Sequence, residues 1–115
     1  MVEGKGTAVE GFGFGLKSKS LELICKVFRR HPEVRKVKIF GSRATAHFEE
    51  HSDVDLAMWG DLNFGLIGRI MRELDELPLP YKFDVKAYDS IKHAPLKQHI
   101  DRVGRILYED EASAL

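Results

Sequence analysis

Between Ser18 and Arg30 apolar side chains return every three or four positions: Leu21, Ile24, Val27 and Phe28. That spacing predicts a helix with one buried face. Ser18 or Ser20 supplies a hydroxyl able to cap its start, and Pro32 stops it. From Val34 to Phe40 the period falls to two, with Val37 and Ile39 on one side and Lys36 and Lys38 on the other. This is the pattern of a half-buried strand, ended by Gly41. Arg43 to His47 have room for a helical turn, and Val54 to Trp59 read as a second strand. Asp61 stands where a cap belongs, ahead of a helix whose apolar face is Leu62, Leu66, Ile67, Ile70, Met71, Leu74 and Leu77. Pro78 and Pro80 close that helix. In the segment Tyr81 to Tyr88, Phe83, Val85 and Ala87 alternate with Lys82, Asp84, Lys86 and Tyr88, which predicts a third strand. Pro95 opens a last helix with Leu96, Ile100, Val103 and Leu107 inward. Helix, strand, strand, helix, strand, helix predicts an α/β sandwich on a short sheet.

The first 15 residues carry five of the ten glycines, so residues 1–15 are expected to be a flexible segment ahead of a domain at 16–110. Gly11-Phe-Gly-Phe-Gly15 lacks both a preceding strand and a Lys-Ser/Thr end, which argues against a P-loop. Phe14 and Leu16 are instead expected to dock on the body. A length of 115 residues suits one core and leaves no room for a second substrate domain. No apolar run reaches the ~20 residues of a membrane span, and the N-terminus lacks the order of a secretory signal. The cytoplasm is the default compartment. Lys plus Arg equal Asp plus Glu at 18 each, so no broad attraction for nucleic acid is expected. Cys25, the one cysteine, excludes an internal disulfide; among Leu23, Ile24 and Val27 it reads as a buried thiol.

The chemistry concentrates between Phe40 and Leu56. Asp53 and Asp55, two positions apart on a strand, point to one face. Two adjacent carboxylates repel, and burying them unpaired is costly. A hard divalent cation relieves both costs. Magnesium takes oxygen ligands and leaves positions for water and phosphate. Gly41 and Ser42, after a strand and before a helical turn, suit an anion site: backbone N–H groups face outward, the hydroxyl adds a donor and Arg43 adds charge. Asp84, on the polar side of the third strand, offers a third carboxylate, suited to a general base or a second metal.

Gly41-Ser42, ten intervening residues, Asp53-x-Asp55 and a later Asp84 resemble the nucleotidyltransferase superfamily of DNA polymerase beta. The wording Phe40-Gly-Ser-Arg-Ala44 and Ser52-Asp-Val-Asp-Leu56 is similar to its minimal branch, whose members act with a helical HEPN partner. The resemblance runs from about Phe14 to Tyr108. It implies a two-layer sandwich with a short mixed sheet and helices on one face. It assigns Gly41, Ser42 and Arg43 to the nucleotide, and Asp53, Asp55 and Asp84 to magnesium and catalysis. It implies transfer of a nucleoside monophosphate, AMP from ATP, to a hydroxyl, with a tyrosine of a HEPN toxin as acceptor and an antitoxin role. One departure is Ala46, where members of the branch often have Gly; the run Ala46-His-Phe-Glu-Glu-His51 predicts a stiffer, more acidic loop.

Plainer readings stand beside these. Asp53 and Asp55 after Ser52 also suit a turn and a cap, and Asp84 alone suits a solvated strand face. Arg43 is either a phosphate ligand or an ion-pair partner of Glu49 or Glu50. His47 and His51 flank those glutamates, but no helical His-Glu-x-x-His supports zinc. His93 and His99 read as helix-end and surface residues. Trp59 and Phe64 read as core, with a partner contact as the alternative. Arg35, Lys36 and Lys38 read as a solvated edge. At the level of function, the rivals to the transferase are an idle module that binds a helical partner, and transfer to a small molecule. A homodimer is compatible with all three.

Overall fold

A computed structural model of the chain describes residues 15–45 and 53–110. Phe14, Ala46, the histidines at 47 and 51 and the glutamates at 49 and 50 lie outside the described residues. Helix α1 spans Ser18–Arg29 and buries Leu21, Ile24, Cys25, Val27 and Phe28, the predicted face. Its N-cap residue is Lys17, with no side-chain cap, so neither serine performs the expected capping. Leu16 docks as expected, 4% exposed in the core. Strands β1 (Val34–Phe40) and β2 (Val54–Gly60) form where alternation places them. Helix α2 spans Phe64–Asp75 and β3 spans Phe83–Ala87. The cap of α2 is Asn63 rather than Asp61: its side chain accepts from the Leu66 backbone N–H at 2.8 Å. Asn63→Ala is expected to cost about 1 kcal/mol in urea unfolding, and Asp61→Ala much less; the reverse order would return the cap to Asp61.

The last segment departs from expectation. Helix α3 covers only Ala94–Val103, and Arg105–Glu109 form a fourth strand, β4. Leu107 is therefore a strand residue, 2% exposed, and not the last inward position of a helix. Gly104 makes the break: its N–H donates to the Ile100 carbonyl at 2.8 Å, after which its backbone turns extended. A side chain there would collide with that carbonyl. Strand β4 pairs with β1, whose N–H and C=O groups would otherwise form an open edge.

The sheet order is β3-β2-β1-β4, with β2 and β3 parallel and the other pairs antiparallel. It is the expected mixed sheet. One face carries Val37, Ile39, Val54, Leu56, Met58, Phe83 and Val85, covered by Ile24, Phe28, Ile70 and Leu74 of α1 and α2. Each such fully buried side chain contributes roughly 1.5–3 kcal/mol. Cys25 lies here, its thiol donating to the Leu107 carbonyl at 3.4 Å and pushed up to about 11, chiefly by burial. An inert structural thiol follows. Where α1 ends, His31 Nε2 meets Glu73 Oε1 of α2 at 2.9 Å, and that hydrogen bond draws the Glu73 carboxyl below its ordinary range.

On the opposite face lie Phe40 and Ala57, and α3 covers them with Ile100. Two helices thus share one layer and the third crosses the other side. Trp59 is half-buried there, stacked on Tyr88 with centroids 4.6 Å apart, with Lys36 over the indole and Lys97 over the phenol ring. Phe64 is 93% exposed, contrary to the core reading.

Candidate active site

Strand β1 delivers Phe40 to one end of the sheet, and the chain then tightens into a single 3-10 turn, Gly41–Arg43. Hydrogen bonds from Ala44 N–H to Gly41 O (3.1 Å) and from Thr45 N–H to Ser42 O (3.2 Å) hold this turn, and the Thr45 hydroxyl donates to Ser42 O at 3.1 Å. Gly41 has φ +77°, a region closed to most L side chains. A side-chain carbon built on it would run into the Asp55 carboxylate. The glycine is therefore required twice, by its own backbone and by the carboxylate beside it.

Strand pairing explains that proximity. In the antiparallel β1–β2 ladder Phe40 is opposite Asp55, so Asp55 reaches the end of β1 where the turn begins. In the parallel β2–β3 ladder Asp55 is opposite Asp84. Register partners in adjacent strands share a face about 4.8 Å apart. Asp53, two residues before Asp55, is exposed at the mouth of the same strand. Asp55 and Asp84 occupy the α3 side of the sheet, with Asp53 near enough to act on Asp55, and the apolar residues interleaved with them fill the other side.

Electrostatics single out Asp55. Its carboxyl is raised above the ordinary range first by burial, then by Asp84 and Asp53; Lys86 and His99 act the other way. Lys86 Nζ sits 3.5 Å from Asp84 Oδ2, both side chains being partly exposed. An exposed pair of this kind contributes little. Among the described residues no three acid, His or Cys side chains already close around one point. Asp55 and Asp84, adjacent by register beside the glycine turn, are oxygen donors of the kind magnesium takes. A repelled, partly desolvated carboxylate beside a glycine turn is the donor set that suits such a cation.

Arg43 is placed differently from a surface ligand. It is 2% exposed, with its guanidinium over the Tyr81 ring at 4.9 Å from the centroid. Tyr81 lies two residues before β3, the strand that carries Asp84, so this contact ties the turn to the start of that strand. His99, read from sequence as a surface residue, is half-buried at the turn. The Gly41 backbone N–H donates to its Nε2 at 3.3 Å, and the ring meets Phe40 edge-on at 6.1 Å. Nothing local in the sequence marks this histidine, because its role depends on which sheet face α3 covers.

The polymerase beta nucleotidyltransferase family model matches residues 22–113. No curated protein matches the chain by sequence. Among solved structures, a toxin-antitoxin complex with AMP-PNP is similar with a TM-score of 0.66 at 21% identity, covering 80% of this chain and 75% of that one. A tri-AMPylated HEPN toxin from Shewanella oneidensis in complex with its MNT antitoxin matches with a TM-score of 0.62 at 19% identity, covering 84% and 75%. A Sulfolobus solfataricus protein assigned to the nucleotidyltransferases matches with a TM-score of 0.53 at 16% identity, covering 94% and 95%. At such identities the structural likeness speaks to fold alone, the fold of antitoxins of the MNT type. With the family match spanning most of its length, the chain belongs to the polymerase beta nucleotidyltransferase family.

Proposed function

We propose that the protein is a magnesium-dependent adenylyltransferase that moves AMP from ATP to a tyrosine hydroxyl of a HEPN-type partner, releasing pyrophosphate and acting as an antitoxin. The observation that carries this reading is the Asp55–Asp84 register pair set against the Gly41 turn, with Asp55 repelled by both acidic neighbours. Asp53 and Asp55 would hold magnesium, with Asp84 able to join them. Bound there, magnesium would supply charge to offset that of the phosphates and of the leaving pyrophosphate. Ser42 would bind the polyphosphate through its hydroxyl and the outward N–H groups of the turn. Arg43 would support it, its buried charge behind the turn adding to the positive potential. Asp84 would accept the proton of an incoming phenol as its oxygen attacks the α-phosphorus and the bond to pyrophosphate breaks. The family match and the fold shared with MNT antitoxins support the transferase and the choice of partner.

The test is direct. Incubation with labelled ATP, magnesium and the HEPN-type partner is expected to label the partner, and Asp53→Asn is expected to remove the label. Equal labelling by the variant sinks the catalytic assignment. A complex that forms normally with wild type, Asp53→Asn and Asp84→Asn, with no turnover in any of them, makes the protein a binding module.

A further inference from the structure

His99 is not part of the Gly-Ser…Asp-x-Asp pattern, yet it makes the contact that fixes the first residue of the turn. Its Nε2 accepts the Gly41 N–H across 58 positions of sequence, so this bond joins α3 to the end of β1. Accepting at Nε2 leaves the proton of a neutral ring on Nδ1. Phe40 stands edge-on to the imidazole at 79°, and Ile100, the next residue of α3, is fully buried against Phe40 and Ala57 and anchors the helix that carries it. The acceptor is thus presented by an anchored helix and not by a mobile side chain.

We propose that His99 is a positioning residue for nucleotide binding: it holds the Gly41 amide and thereby presents the Ser42 hydroxyl and amide to the polyphosphate. The inference rests on the transferase reading of the same site. Gly41 is the one residue of the turn at positive φ, and its Cα is crowded by Asp55, so a small rotation of its peptide redirects Ser42 and disturbs the metal carboxylate together. With the Gly41 N–H occupied by His99, phosphate binding falls to Ser42 and the groups after it.

The test compares His99→Ala with His99→Gln, whose Oε1 can take the place of Nε2 as acceptor. The readouts are Mg·ATP affinity by calorimetry and Gly41 amide exchange by NMR in the full chain. His99→Ala is expected to speed Gly41 exchange and to weaken Mg·ATP binding by about fivefold to tenfold, the worth of one hydrogen bond. His99→Gln is expected to restore most of both. Unchanged affinity in His99→Ala, or a glutamine variant as impaired as the alanine one, overturns the proposal. Since neither readout needs turnover, a wild-type protein that binds Mg·ATP and transfers nothing sinks the reaction proposed above and not this role. A wild-type protein that binds no Mg·ATP overturns both.

Discussion

Gly41→Ala is expected to abolish transfer and destabilise the fold at once. The methyl group would be forced into φ +77°, which costs a non-glycine residue about 1–3 kcal/mol. It would also displace the Asp55 carboxylate, which lies where the new carbon must go. Two elements of the site would then move together, and a displacement of about 1 Å in a catalytic constellation lowers rates by roughly 10²-fold. Denaturant unfolding measures the first effect and the labelled-ATP assay the second. The clash and the backbone strain are separable. In Gly41→Ala/Asp55→Ala the carboxylate is gone, so the stability deficit is expected to shrink toward the backbone cost alone. If Gly41→Ala retains transfer within threefold of wild type, the turn and Asp55 do not share a site.

The second large effect has opposite signs for stability and activity. Asp55→Asn keeps the shape of the side chain and removes the most repelled charge of the site. Transfer is expected to fall on the order of 10³-fold, as when a main electrostatic contact of a reaction is lost. Melting temperature without magnesium is expected to rise by about 2–5 °C. The sign follows from the direction of the shift. Folding raises the Asp55 carboxyl above its unfolded value of 3.8, so the ionised group opposes folding at neutral pH. That penalty is full above the raised folded value and fades as pH falls through it toward 3.8. The advantage of the asparagine variant is therefore greatest near neutrality and vanishes in acid. Magnesium should reverse the ranking, since a cation held by Asp55 stabilises wild type in proportion to its binding and the variant much less. A variant melting below wild type in the absence of magnesium, across neutral pH, contradicts the electrostatic account of the site.

The stability given up at Asp55 is consistent with a site kept for binding. A structural carboxylate at that depth would pair with a cation of its own chain. Among the described residues, Lys86 pairs with Asp84 and His99 accepts from Gly41, and the pull both exert on the Asp55 carboxyl does not outweigh burial and its acidic neighbours.

The sequence alone determined which segments are helix or strand wherever a buried face repeats along them. The change of period from 3.6 to 2 located α1, β1, β2 and β3, because a helix or strand with one buried face must repeat its apolar residues at the period of its own geometry. The same parity put Asp55 on the polar side of β2 and Asp84 on the polar side of β3, opposite Phe83 and Val85. Only the tertiary structure decided which strands are neighbours. Asp55 meets Asp84 because β2 and β3 run parallel in that register, and meets Gly41 because β1 ends opposite it. Strand β4 was hidden because Leu107 falls at helical spacing from Ile100 and Val103, while the decisive facts were a glycine stop at 104 and an unpaired edge on β1. Asn63, as good a cap by residue type as Asp61, is the one that directly precedes the first helical residue of α2. His99 at the turn and Arg43 over Tyr81 are contacts between segments far apart in sequence. Periodicity records which side of an element is buried and carries no information about what buries it.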